Sequence, residues 1–233
     1  MKTVAEWSLE FDRLYDNISS NKAPGLEEYE KSVFLTRAQE AVVQMMYDGT
    51  IKDSFEETEE VTKSLASLVR QATLLPSSST QLPKICSKSY VFALPSDLLF
   101  RTYESCILTS DTLCGSPVEV SVVPVTQDEF WRTQRNPFRG AGTRKVLRLA
   151  YASNSIDNSG ALSEQDYSEL VSCFPVTSYT VRYVSKPKPI ILEDLTGGLS
   201  INGETEARTC ELPEVIHSVI LDAAVKAAKA AWA

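Results

Sequence analysis

The chain has 233 residues, 43% of them hydrophobic and 23% charged, with 31 acidic side chains against 23 basic ones. That is the composition of an ordinary soluble protein with room for one large domain or two small ones. A single histidine, His217, excludes multi-histidine metal sites. Five cysteines (Cys86, Cys106, Cys114, Cys173 and Cys210) without a C-x-x-C pair indicate neither a zinc knuckle nor a disulfide framework. No apolar run approaches the roughly 18 residues that span a bilayer, and acidic residues stand where a signal peptide would be apolar. The expectation is a soluble protein made in a reducing compartment. A net charge of −8 argues against general affinity for nucleic acid, which comes from neutralising phosphates.

In chain order, the first 75 residues read as helices. Val4, Trp7, Phe11, Leu14, Tyr15 and Ile18 recur at helical spacing and predict one buried face. Residues 19–25, ending Ala23-Pro24-Gly25, break the pattern. A longer helix follows on Leu26, Tyr29, Val33, Ala38, Val42, Met45 and Met46, with both methionines read as core filling. Asp48-Gly49-Thr50 is its stop, Gly49 being suited to the left-handed conformation after a helix end. A third helix is expected after Ser54, burying Val61, Leu65, Leu68 and Ala72. Glu56, Glu57, Glu59 and Glu60 stand at the positive end of its dipole and read as a solvated first turn, not a cation site.

Around Leu75 the pattern changes, and residues 74–80 form a polar, proline-containing linker. Strands are expected at 86–94, 98–108, 117–125, 145–151 and 179–183, with a turn at Leu94-Pro95-Ser96-Asp97. A short helix at 126–131 would start at Thr126, with Glu129 completing a capping box. Residues 187–192 suit an edge strand, since Pro187 and Pro189 each remove a ladder donor. Gly197-Gly198 and Asn202-Gly203 mark a hairpin-like stretch. From Leu212 the helical period returns through Val215, Ile216, Val219, Ile220 and Ala223, with Pro213 in the first turn. Seven of the last eleven residues are alanine, which extends this to a helix of roughly 20 residues. The fold expectation is α+β: a helical bundle of three N-terminal helices plus the C-terminal helix (1–75 and 211–233), with a β-rich inserted domain (76–210).

Charge is distributed unevenly. Residues 1–75 hold 8 basic and 14 acidic side chains, residues 76–210 hold 13 and 14, and residues 211–233 hold 2 and 3. Arg132, Arg135, Arg139, Arg144, Lys145 and Arg148 fall within 17 residues free of acid. Residues 131–142 read as an exposed loop, and Arg132, Arg135, Phe138, Arg139, Arg144 and Lys145 form a candidate subunit or partner interface, because interfaces favour arginine and aromatics. Two other readings stay open: a solvated loop balanced by nearby carboxylates, and a path for nucleic acid. His217 reads as a helix-surface histidine in a subunit contact. A general-base role would need a converging nucleophile, and no G-x-S-x-G, Walker or dinucleotide motif is present. No catalytic residue, metal ligand or cofactor site is assigned.

Four stretches carry a resemblance. Residues 11–36, opening Phe11-Asp12-Arg13-Leu14-Tyr15 and running through Ala23-Pro24-Gly25-Leu26-Glu27-Glu28-Tyr29, resemble the N-terminal signature of virion structural proteins of crAss-like bacteriophages. Residues 182–192, which include Lys186-Pro187-Lys188-Pro189, and then Cys210-Glu211-Leu212-Pro213-Glu214, are similar to the C-terminal part of the same family. Asn136-Pro137-Phe138 joins them. The resemblance implies a neck or tail ring protein similar to the head-to-tail adaptors of short-tailed phages. By that likeness the chain is a homo-oligomer, a dodecameric ring, that meets the portal protein and other neck or tail rings. DNA passes through its channel without sequence-specific binding, and no membrane or cofactor is involved. It would be made in the host cytoplasm and reside in the virion as a non-enzymatic part. The other classes are a DNA-binding or enzymatic virion factor used in packaging or ejection, and a head-decoration or scaffold protein.

Overall fold

A computed structural model describes residues 2–16, 25–50, 55–77, 84–110, 117–156 and 162–231. Its elements run, in chain order, α1 (Val4–Asp16), α2 (Glu28–Tyr47), α3 (Phe55–Leu68), β1 (Val69–Leu74), β2 (Ser89–Ala93), β3 (Leu98–Leu108), β4 (Val118–Pro124), α4 (Phe130–Arg135), β5 (Lys145–Ile156), β6 (Leu162–Val171), β7 (Val176–Ser185) and α5 (Glu214–Ala230). The fold is mixed α+β, with five helices and one seven-stranded sheet among the described residues. The chain divides into two compact units, Met1–Leu68 with Lys186–Ala233, and Val69–Ser185.

In the first unit, α1 buries Trp7, Phe11 and Tyr15, a four-residue repeat that keeps three aromatics on one face. Leu14 is partly exposed, while Ile18 and the break at 19–24 lie outside the described residues. The carboxylate of Glu30 accepts the Glu27 N–H at 3.0 Å at the start of α2. Gly49, at φ +71°, ends α2 in the left-handed region as expected. Met46 is buried but Met45 is about half exposed, because neighbouring positions on a helix point 100° apart. Thus only one of the two methionines fills core. α5 buries Ile216, Ile220, Leu221, Ala224, Val225 and Ala228 and packs on α1 and α2. Its small alanines let the helices approach closely. Pro213 is its N-cap, one position ahead of the expected first turn.

Two expectations here are corrected. Residues 187–192 are not a sheet edge strand. Pro187 and Pro189 lack donors, and the Ile190, Ile191 and Leu192 N–H groups are taken by side chains of α2 and by a bridge to Arg208. The Ile190 N–H donates to Thr36 Oγ1 at 3.2 Å and the Leu192 N–H to Ser32 Oγ at 2.9 Å. Thr36 Oγ1 donates back to the Ile190 carbonyl at 3.2 Å, and Gln39 Nε2 donates to the Lys188 carbonyl at 3.1 Å. The Ile191 N–H donates to the Arg208 carbonyl at 2.9 Å. Ser32, Thr36 and Gln39 recur at i, i+4 and i+7, so α2 buries a polar row that holds an extended segment by its backbone. The second correction is that the first 75 residues are not all helical. α3 ends at Leu68, and Ala72, expected on its buried face, lies in β1. There Val69–Leu74 pair residue by residue with Val184–Tyr179 of β7, a non-local partner that outweighs local helical spacing. Ser54 and the side chain of Val61 lie outside the described residues.

In the second unit the strand order is β1-β7-β3-β4-β5-β6-β2. The Ser77 N–H, just past one edge strand, donates to the Val91 carbonyl of the other at 2.7 Å, so the sheet curls back on itself. Its larger core collects Phe92, Cys106, Leu108, Val120, Val146, Leu170, Tyr179 and Val181. Leu147, Leu149 and Val171, one residue out of phase, face the other side with Phe130. β3 spans the expected 98–108. β6 was not anticipated: Leu162–Val171 (LSEQDYSELV) lacks clean alternation and is held by antiparallel partners on both sides, β5 and β2. Linker residues 78–80 lie outside the described residues.

Candidate functional site

The basic stretch of the sequence occupies the connection between β4 and β5. These strands pair in parallel, so the chain must cross over between them, and α4 sits in that crossover. The expected capping box at Thr126 does not begin the helix. α4 starts at Phe130 with Glu129 as N-cap and no side-chain cap bond. Thr126 instead hydrogen-bonds the Asp128 carboxyl, which that bond holds below its ordinary range. Phe130 is the anchor of α4, buried against Leu147, Leu149 and Val171. The expected loop is therefore a helix followed by a turn.

The remaining faces of α4 point outward. Trp131, Arg132 and Arg135 are exposed and, with Asp128, line an open depression of about 700 Å³. Trp131 is steadied by an edge contact with Phe130, ring centroids 5.1 Å apart. Beyond α4, Asn136 Oδ1 accepts the Phe138 N–H at 2.9 Å and the Arg139 N–H at 3.3 Å, and the Asn136 carbonyl accepts the Gly140 N–H at 2.8 Å. Gly140 fits this turn because a Cβ there would stand 2.9 Å from the Gln134 carbonyl oxygen. Phe138 is left 87% exposed at the tip. Arg139 and Arg144 are exposed as well.

Two cations of the stretch do other work. Lys145 is half-buried, and its Nζ donates to the Phe138 carbonyl, so it braces the turn. Arg148 lies against Glu104, Nε to Oε2 at 3.1 Å. Glu104 also faces Arg101 at 3.6 Å and accepts the Tyr179 hydroxyl. Burial, then the Glu104 charge, push the Tyr179 phenol well above its ordinary value. Burial and the neighbouring Arg148 lower Arg101. Nothing in the linear pattern linked Glu104 to this cluster, because its partners come from β3, β5 and β7.

His217 is corrected outright: it is 1% exposed and belongs to the core of its unit, not to a helix surface. Its ring lies 4.9 Å from that of Trp7, and Nε2 donates to the Leu212 carbonyl at 2.9 Å. Burial lowers its pKa, while the Leu212 bond opposes that shift. Lys31, also overlooked in the sequence, is buried on α2 with its Nζ 2.8 Å from Asp12 and 3.0 Å from Glu28. Burial opposes its charge, but these two carboxylates win and raise its pKa. Among the described residues no group of three or more His, Cys, Asp or Glu is placed to hold a metal ion. No helix among them is long and apolar enough to cross a membrane.

A crossover displaying aromatics and arginines at its surface has the composition of a contact surface. Comparison with known proteins gives it a setting. The model of the family described as phage tail ring protein 3/4 matches residues 1–233. Ring protein 3 of Bacteroides phage crAss001 is 39% identical over 230 residues, covering 97% of this chain and 94% of its own length. Ring protein 4/5 of the same phage is 33% identical over 237 residues, covering 98% and 93%. The chain belongs to the phage tail ring protein 3/4 family of crAss-like phages. It is a ring protein, a structural component of the virion.

Proposed function

We propose that the chain is the subunit of a head-to-tail adaptor ring in the portal-proximal neck or tail, joining portal to tail around the DNA channel. The full-length match to the tail ring family carries this reading. The architecture supports it. We read the helical unit as a bundle hosting the sheet unit as an insertion. Val69 and Val184 are paired neighbours in the sheet, so the chain enters and leaves that unit at one place. The ring is a homo-dodecamer, stacked on other rings, and its role is structural and not enzymatic. Its acidic surplus suits a DNA conduit, since like charge lets a duplex slide instead of adhering.

Symmetric electron-microscopic reconstruction of the particle neck tests the reading. The expected result is a ring of about twelve copies coaxial with the portal. Copies on the capsid surface, or in the hundreds, would overturn it. Salt-dependent duplex binding by the purified chain, lost on changing Arg135, Arg139 and Arg144 to Ser, would instead favour a DNA-binding packaging or ejection factor.

A further inference from the structure

Phe138 is the most exposed large hydrophobic side chain among the described residues, yet it does not sit on a slack loop. Asn136, the Lys145 ammonium and the tight fit of Gly140 all shape the turn that holds it out. A ring left in water forgoes its burial energy, and a turn built to present it makes sense when another surface covers it. Trp131, 53% exposed, and the arginines beside it complete the composition of an interface centre.

The chain carries the complement of this surface. The sheet unit has 11 basic and 10 acidic residues, whereas the helical unit has 12 and 21. On the outer face of α5, Val215 and Val219 stand one turn apart, 58% and 43% exposed. Exposed Asp222 follows along the same line, three residues beyond Val219. This is an apolar seat beside the Asp222 carboxylate, with exposed Lys226 one turn further along, and it is Val215, Val219 and Asp222 that match an aromatic beside guanidinium groups. A ring of identical subunits closes through head-to-tail contacts, for which each copy must present two different, complementary faces.

We infer that the Phe138 turn of one copy docks on the Val215–Val219–Asp222 face of α5 in the next copy of the ring. This rests on the ring reading above and names the contact that closes the ring. The test replaces Phe138 with p-benzoylphenylalanine in the full chain, supplied during infection, and irradiates purified particles. The expected product is a ladder at multiples of the 25.8 kDa chain, with crosslinks mapping to residues 214–230. Rings visible in the particles with crosslinks to another virion protein, to other residues, or absent altogether would overturn the inference and leave the ring reading standing. Particles in which the chain forms no ring would overturn the ring reading itself. A charge exchange gives an independent check. Arg135→Glu with Arg139→Glu lowers ring yield roughly tenfold, and adding Asp222→Arg restores it, with the thermal midpoint unchanged. Failure of the third substitution to restore rings counts against the pairing.

Discussion

His217 and the cysteines show how burial decides what a side chain can do. The His217 Nε2–H serves the Leu212 carbonyl, and Nδ1 has no hydrogen-bond partner among the described residues, so the neutral ring fits and a second proton does not. Its folded pKa is depressed, so below the unfolded value of about 6.5 the unfolded chain binds the proton more readily. Stability therefore falls as pH drops through 6.5 toward the folded value, and His217→Gln, which keeps a donor but cannot titrate, flattens that fall. Urea midpoints at pH 7.5 and 5.5 for both chains check this. A similar argument sorts the thiols. Burial pushes Cys106 up to about 12 and Cys210 up to about 11, while Cys173 is exposed. An alkylating reagent at pH 8 labels Cys173 first and reaches Cys106 and Cys210 only on unfolding, as peptide mass mapping would read. Cys114 lies outside the described residues.

At the scale of elements, the polar row of α2 has the clearest energetic consequence. Thr36 both donates to and accepts from Ile190 in a buried setting. Thr36→Val keeps the shape but strands an N–H and a carbonyl, and the expected loss is about 2 kcal/mol by urea denaturation. The helix α2 and its stop at Gly49 were legible, but the polar part of its buried face was not. Lys31, Ser32, Thr36 and Gln39 sit where an amphipathic pattern calls for apolar residues, and their partners are as much as 160 residues away. α1 and α5 were legible because their inward positions are apolar and bury against other helices. β3 was legible as a β-favouring run after a proline turn. β1 and β6 were not, since pairing across the sheet, rather than their own composition, makes them strands. The arginine-rich segment was recognisable as a surface, but its helix and its braced turn were not, because Phe130 and Gly140 act through neighbours the sequence does not place beside them.

For the whole molecule, the adjacent ends of the sheet unit make a further prediction. If that unit is an insertion, replacing residues 69–185 by a short Gly-Ser linker costs little chain entropy at the junction. The remaining chain should keep its helical circular dichroism and a cooperative melt. A chain without cooperative unfolding would count against the insertion. The compact units divide at Leu68 and Ser185, while the sequence reading divided the chain at 75 and 210. The difference is residues 69–75, most of them β1, and residues 186–210, which open with the extended segment held by α2. β1 and that segment have partners far away in sequence.

The sequence by itself determined the α+β class, the order of helical and β-rich segments, the family likeness, and the place where cations concentrate. Each of these depends on local periodicity, turn residues or composition, which a linear reading can see. Only the tertiary structure decided that His217 is a core residue, that Lys145 and Arg148 work within the fold, and that Phe138 stands out from a braced turn. Whether a polar group faces water or a partner depends on what the fold brings against it, and those neighbours are distant in sequence.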